Sequence, residues 1–335
     1  MKNIKIPQNS VIRLILMILV FLGYLQFSSY RSETSDLYTN VKTITTSETI
    51  DTKKIEKYSN PDAFITPHQI ISLKENNKDI VIIGALNPLK SHKTIKDSFT
   101  LWRDDYSSHN HSFPYDGMRN TDKEMASILS DFGVNKNTLI VIYSADRHHD
   151  SGRLYWQIKL LGHENVKILD GGLNAWLAAG LPTGKANPIV KKTNYIMNKV
   201  DHDHLADFEM VKSAIDNDEW VILDVRTPEE DQGLETKSGA FGSGRIPNSI
   251  LIPWDYAVNQ DTTFKTIEEL EEIYGDLKDK KIIVYCQSGV RSSFTTLVLT
   301  EILGFNNVYN YDGSWIEWSY EHYQKGTVNI EGGAE

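Results

Sequence analysis

The chain has 335 residues, 40% of them hydrophobic and 24% charged, so it is long enough for two globular domains that each bury a core. A formal net charge of −10 argues against nucleic acid as a partner, because such binding needs a basic surface. The single cysteine, Cys286, excludes an internal disulfide and a cysteine-based metal site.

The first 30 residues differ from the rest of the chain. Three basic residues precede an almost unbroken apolar run at 14–27, which is the pattern of an export signal. Extended back to residue 11, the same run approaches the length of a membrane span. We therefore expect 1–30 to be a signal peptide or an N-terminal membrane anchor, with 11–30 as the part in the membrane. Both alternatives place the rest of the chain outside the cytoplasm, periplasmic or secreted, and the polar residues 31–60 are expected to be a linker.

Short β-branched runs alternate with helical patterns along the remaining chain. Because strands separated by helices favour a parallel sheet, the sequence predicts an α/β fold with helices on both faces of each sheet. The predicted strands are 79–85, 139–143, 166–169, 220–225, 281–285 and 308–311, and the clearest helices are 120–133, 266–277 and 292–304.

Two segments of the chain repeat each other. "LGHENVKILDGGLNAW" at 161–176 matches "LGFNNVYNYDGSWIEW" at 303–318, at a constant offset of 142 positions. The same offset, carried upstream without a gap, places Ser144 over Cys286. The sequence therefore predicts a tandem duplication.

Cys286 lies between a predicted strand and a predicted helix. A thiol there experiences the positive end of the helix dipole and several unpaired backbone amides, which both favour the nucleophilic thiolate. Gly289 allows the loop to curl so that its amides face the sulfur, and Arg291 adds a cation. The alternative is a buried cysteine that only fills space.

Several motifs of the second half resemble the rhodanese family of sulfurtransferases. They are "LDVRTPEE" (223–230), "GRIPNSILIPW" (244–254), "YCQSGVRSS" (285–293) and "YDGSWIEW" (311–318). First-half segments at 101–106, 113–118 and 169–182 resemble the same enzymes, so the likeness covers roughly 60–325. The duplication matches the tandem-domain members of the family, the thiosulfate and 3-mercaptopyruvate sulfurtransferases. The resemblance implies a non-catalytic domain at 61–185, an interdomain linker at 186–204, a catalytic domain at 205–325 and a tail at 326–335.

The resemblance also implies a reaction. Cys286 takes sulfur from thiosulfate or 3-mercaptopyruvate as a persulfide and passes it to cyanide or a thiol, with no metal or organic cofactor. The expected partners are a small anionic sulfur donor and that acceptor, with no nucleic acid, and with a membrane contacted only by the N-terminal segment. The residues expected to bind substrate are Gln287, Ser288, Gly289, Val290, Arg291, Arg226 and Arg245, with Asp224 and Ser292 in support.

Three other functions remain open. A non-catalytic sensor or binding module would share the fold, although the intact cysteine loop argues against it. Related cysteine phosphatases use a Cys-x5-Arg loop, whereas only the four residues 287–290 separate the cysteine from Arg291 here. Metal binding is the third alternative, suggested by histidines at His109, His111, His148, His149, His202 and His204.

The sulfur donor is not settled by the sequence. Gln287 and Ser288 stand where relatives acting on thiosulfate tend to have basic residues, and Gly117 stands where relatives acting on mercaptopyruvate have histidine. Glu230 lies near the place of a second substrate-binding arginine, and a carboxylate there would repel an anion. In the first half Ser144 replaces the cysteine, so we expect that domain to be structural.

Overall fold

The structure, a computed structural model, describes residues 48–76, 78–108, 113–145 and 148–333. The predicted signal or anchor at 1–30 lies outside the described residues. No helix among the described ones is long and apolar enough to cross a membrane.

The first half begins with a helix and then builds five strands. Its helices are α1 (Glu48–Ile55), α2 (Pro67–Glu75), α3 (Asp122–Asp131), α4 (His148–Leu160) and α5 (Gly172–Ala178). Its strands are β1 (Phe64–Ile65), β2 (Ile80–Ala85), β3 (Phe99–Leu101), β4 (Leu139–Ser144) and β5 (Val166–Leu169), and two 3-10 turns cover Pro61–Ala63 and Arg103–Tyr106.

The second half repeats this arrangement. Its helices are α6 (Phe208–Ala214), α7 (Pro228–Asp231), α8 (Ile267–Tyr274), α9 (Val290–Leu297) and α10 (Ser314–Tyr323). Its strands are β6 (Leu205–Ala206), β7 (Trp220–Asp224), β8 (Ile250–Leu251), β9 (Lys281–Tyr285) and β10 (Val308–Tyr311). Two 3-10 turns cover Trp254–Ala257 and Gly275–Leu277, and a π-helical turn at Val298–Ile302 continues α9.

The strand order of the two sheets is the same. The first sheet runs β1-β5-β4-β2-β3 and the second β6-β10-β9-β7-β8, with every strand pair parallel. The central strands are buried on both faces and rich in isoleucine and valine, as parallel strands covered by helices require. The predicted α/β fold with two sheets is confirmed.

The two halves pack against each other through α4 and α9. A Cβ added to Gly152 would lie 2.7 Å from the Cα of Phe294, so the helices are in close contact there. These two residues are themselves 142 positions apart and hence equivalent in the repeat. Equivalent residues in mutual contact indicate a two-fold relation between the halves, which share one hydrophobic core.

Both segments flanking the repeat are folded where the structure describes them. Lys54 of α1 forms a 2.6 Å ion pair with Asp170, and Tyr58 is buried in the core. The described part of the expected linker 31–60, residues 48–60, therefore contributes a helix and apolar side chains to the fold. In the predicted tail, Glu331 pairs with Arg245 and accepts a bond from the Asn248 amide.

Candidate active site

Cys286 follows the last residue of β9 and is 1% exposed. The chain then turns through residues 287–289 into α9. Gly289 has a φ of +75°, and a Cβ on it would lie 2.5 Å from an Arg153 nitrogen and 2.8 Å from an Asp312 oxygen. Glycine is therefore required at this position both by the backbone conformation and by the space available.

A serine on the facing turn supports this loop. The hydroxyl of Ser314 accepts hydrogen bonds of 3.1 Å from the backbone amides of Cys286 and Gly289. It donates a third bond, of 2.7 Å, to the Tyr311 carbonyl. Ser314 has a φ of +49°, in the left-handed region that a residue with a side chain adopts at a cost. Sequence reasoning missed this residue. A signal was present, because its counterpart 142 positions earlier is Gly172, and glycine favours the left-handed conformation that Ser314 adopts.

The surroundings of Cys286 stabilise the thiolate. Burial raises the pKa of the thiol. The Arg291 guanidinium and the hydrogen bonds from Ser292 and the Ser288 amide lower it by more than burial raises it, so the pKa lies below its usual value. The Ser292 hydroxyl is buried and is one of the groups that lower the thiol pKa. A thiolate held by amides and a cation is the form that attacks sulfur.

Arg291, predicted to hold the donor, is already paired. Its two terminal nitrogens donate to Glu230 at 2.6 and 2.8 Å, and Glu230 is almost fully buried. Burial raises the pKa of Glu230, but the bonds from Arg291 lower it below its usual value. The carboxylate that the sequence placed near a substrate arginine thus neutralises much of the Arg291 charge.

The other two predicted arginines are also engaged by carboxylates. Arg226 is buried and donates to Asp224 from Nε at 3.0 Å and from Nη2 at 2.6 Å. Asp224 additionally accepts a 2.6 Å bond from the Tyr285 hydroxyl. The structure therefore places Arg226 in the core, with Asp224 orienting it.

Arg245 lies at the surface of the catalytic half. It donates to Asp231 at 3.1 Å and to Glu331 at 2.9 Å. The three arginines that the sequence assigned to an anionic donor each have a protein carboxylate as partner, and their role in binding a donor stays a prediction.

The remaining predicted residues form the wall of the cysteine loop. The Gln287 amide group donates to the Ser238 carbonyl at 3.3 Å and so connects the loop to the segment that covers it. Gly117 of the first half lies over Ser288, because a Cβ on it would be 3.2 Å from the Ser288 Cβ. Val290 is buried at the start of α9.

A residue of the first half holds the cysteine loop in place. Arg153 of α4 is 1% exposed and forms an ion pair with Asp312, across the two halves. It also donates to the carbonyl groups of Gly289 and Gly117, each at 3.3 Å. No sequence pattern pointed to this residue, because its partners lie in other parts of the chain.

The first half lacks the catalytic groups at the equivalent strand ends. Gly84 lies opposite Tyr143 in the first sheet, as Asp224 lies opposite Tyr285 in the second. A Cβ on Gly84 would lie 2.7 Å from the Tyr143 ring, so a carboxylate has no room there. With Ser144 as the counterpart of the cysteine, the first half offers no nucleophilic sulfur.

The histidines do not gather into a metal site within the described part of the chain, where no group of three or more histidine, cysteine or acidic residues could hold an ion. His148 stacks on Phe264 at 4.7 Å, and His149 meets the Trp254 ring edge-on at 4.6 Å. His109 and His111 lie outside the described residues.

Comparison with known proteins identifies the repeated unit. The family profile described as "Rhodanese-like domain" matches residues 50–179 and 207–321. Proteins of Corynebacterium glutamicum and Saccharopolyspora erythraea, whose names both contain "thiosulfate sulfurtransferase", are 35% and 38% identical over 202 and 200 residues. These matches span 58% and 57% of this chain and 67% and 70% of the relatives.

Solved structures share the fold at lower identity. The anaerobic ergothioneine biosynthesis enzyme from Chlorobium limicola, in complex with trimethyl histidine, matches with a TM-score of 0.71 and 20% identity, over 83% of this chain and 72% of that one. The protein YnjE matches with a TM-score of 0.71 and 19% identity, over 83% and 70% of the two chains.

Proposed function

This chain belongs to the rhodanese-like domain family, its named relatives support sulfurtransferase activity, and we propose that it transfers sulfane sulfur through a persulfide on Cys286. The proposed donors are thiosulfate and 3-mercaptopyruvate, and the proposed acceptors are cyanide and thiols. The observation that carries the proposal is the lone thiol of the chain, with a lowered pKa, at a strand end where the backbone amides of Ser288 and Ser292 donate to it.

The first half-reaction loads the cysteine. The Cys286 thiolate attacks the outer sulfur of thiosulfate, a bond forms between the two sulfurs, and the sulfur–sulfur bond of the donor breaks. Sulfite leaves with the electron pair, and the enzyme keeps a persulfide with its charge on the outer sulfur. With 3-mercaptopyruvate, the carbon–sulfur bond breaks instead, and the enolate of pyruvate leaves and takes up a proton.

The second half-reaction regenerates the thiolate. Cyanide or a thiolate attacks the outer sulfur, and the bond within the persulfide breaks. Thiocyanate or a new persulfide leaves, and the electron pair returns to Cys286. Splitting the transfer in two gives each step an easier path than direct exchange. The loop amides and Arg291 favour the anionic sulfur before loading, and the same donors suit the anionic persulfide after it.

Thiocyanate formation on the full chain tests this proposal, with each donor in parallel and cyanide as acceptor. We expect turnover with at least one donor, and no turnover for Cys286→Ser, because a hydroxyl cannot carry the sulfur. The matched control is Ser144→Ala, at the equivalent position of the first half, which should leave turnover with 3-mercaptopyruvate unchanged. Turnover by Cys286→Ser at the wild-type rate would refute the proposal, and a thiol inert to both donors and to iodoacetamide would favour a non-catalytic binding module.

The N-terminal segment supports a proposal about location. We propose that residues 1–30 direct the chain out of the cytoplasm, either as a cleaved signal or as an anchor. Cell fractionation with mass spectrometry of the mature N-terminus separates the two, because only a retained segment keeps the protein in the membrane fraction. Recovery of the intact chain from the cytoplasm would contradict the proposal.

A further inference from the structure

The first sheet keeps a cavity of its own where its strands end. About 220 Å³ of space lies at the carboxyl ends of β2 and β4, beside Ala85 and Ser144. Ligands of parallel α/β sheets bind at this edge. The first half therefore has a serine where the second half has the thiol, and it has a cavity beside that serine.

Hydrogen-bond donors without partners line this cavity. The side chain of Ser144 is almost fully buried, and its hydroxyl has no hydrogen bond among the residues that the structure describes. Lys90 is exposed and has no ion pair in the same described part. The Asn87 oxygen accepts from the Leu89 amide, which leaves its NH2 group as a donor.

One further cation borders the cavity. Arg103 donates from Nε to Asp150 at 2.8 Å and lies 3.1 Å from the His149 ring through Nη2, which leaves Nη1 for another acceptor. Among the lining residues that the structure describes, there are two cations, Lys90 and Arg103, and one carboxylate, Asp150. A cavity of this size, with several donors and a positive balance, suits a compact group with many acceptor oxygens.

We propose that this cavity is a second binding site, for a small inorganic oxyanion of the size of sulfate or sulfite, held by Ser144, Lys90 and Arg103. The site is separate from the sulfur-transfer centre and does not depend on the proposed reaction, although sulfite is a product of that reaction with thiosulfate. We expect an anion bound at Arg103 to act on the thiol electrostatically. Burial lowers the pKa of Arg103, while Asp150 and, more weakly, the Cys286 thiolate raise it above its usual value.

Sulfate is the probe, because it is inert toward the thiol. Isothermal titration calorimetry on the full chain, with ionic strength held constant by chloride, should give saturable binding. We expect Lys90→Met and Ser144→Ala each to weaken binding about tenfold, through the loss of one charged and one neutral donor. The matched control is Lys93→Met, which removes a neighbouring exposed lysine that does not line the cavity and should leave binding unchanged.

A second readout uses the coupling to the catalytic half. Saturating sulfate should slow the alkylation of Cys286 by iodoacetamide roughly threefold near neutral pH, because an added anion at Arg103 disfavours the thiolate. Lys90→Met should weaken this dependence, so that more sulfate is needed. The proposal is overturned if binding does not saturate, or if it is unaffected by both Lys90→Met and Ser144→Ala. Neither outcome bears on sulfur transfer, which the thiocyanate assay measures on its own.

Discussion

The Ser314 hydroxyl gives the sharpest test of how the catalytic loop is held. Replacement by alanine leaves the buried amides of Cys286 and Gly289 without an acceptor. An unsatisfied buried donor costs about 1–3 kcal/mol, so Ser314→Ala should lower the free energy of unfolding by roughly 2–4 kcal/mol. Ser314→Gly loses the same bonds but relieves the left-handed backbone at +49°, which returns about 1 kcal/mol. Glycine should therefore be the less damaging of the two replacements, the reverse of the usual order inside a helix.

Urea unfolding of the two variants measures this difference directly. The iodoacetamide reaction of Cys286 should also shift to higher pH in both, because a looser loop no longer holds its amides on the sulfur. Ser319→Ala is the matched control, since Ser319 is a buried serine of the same helix whose hydroxyl accepts from the Phe241 amide at 3.1 Å, away from the thiol. It should lose stability without changing the pH profile. The reasoning fails if Ser314→Ala unfolds within about 0.5 kcal/mol of wild type, or if Ser314→Gly is the less stable variant.

Three other substitutions probe the same site. Arg153→Met leaves the buried Asp312 of the other half without its ion pair and should lower the unfolding free energy by about 3–5 kcal/mol. It should also reduce sulfur transfer more than Arg153→Lys does. Equal activity of the two variants would contradict a positioning role. Gly289→Ala should lower the unfolding free energy by about 2–4 kcal/mol, whereas Gly180→Ala, at a similar positive φ but with open space around it, should cost only about 1 kcal/mol; similar losses would show that crowding by Arg153 and Asp312 is unimportant. Arg291→Met removes the cation that lowers the thiol pKa, so the midpoint of thiol alkylation should move to higher pH, and an unchanged midpoint would exclude that guanidinium as a source of the shift.

The architecture was predictable because local and repeated signals agreed. Each predicted β-branched run of about five residues forms a strand. Because the two halves match at a constant offset, an element predicted in one half supports its counterpart in the other. The position of Cys286 also followed from the sequence, since a strand followed by glycine and a helix fixes where the thiol lies. The resemblance added the reaction, and the family match bears out the family.

The charge balance of the site was not predictable in the same way. Arginine side chains reach several ångströms, and the sequence does not say which carboxylate they meet. Glu331 lies 86 residues from Arg245 in the chain, and yet the two are 2.9 Å apart. Arg153 and Asp312 come together only because the halves dock, so no local pattern could reveal them. The sequence located the cations near the thiol but not their partners.

Arg153 of the first half donates a hydrogen bond to the Gly289 carbonyl, so the cysteine loop of the second half depends on a residue that is synthesised earlier. The first half emerges from the ribosome before the loop that it braces exists, and it carries no thiol of its own. The second half gains its thiol during translation but lacks the guanidinium that holds the loop until α4 and α9 have met. The Cys286 loop is therefore fully braced only after both halves have docked.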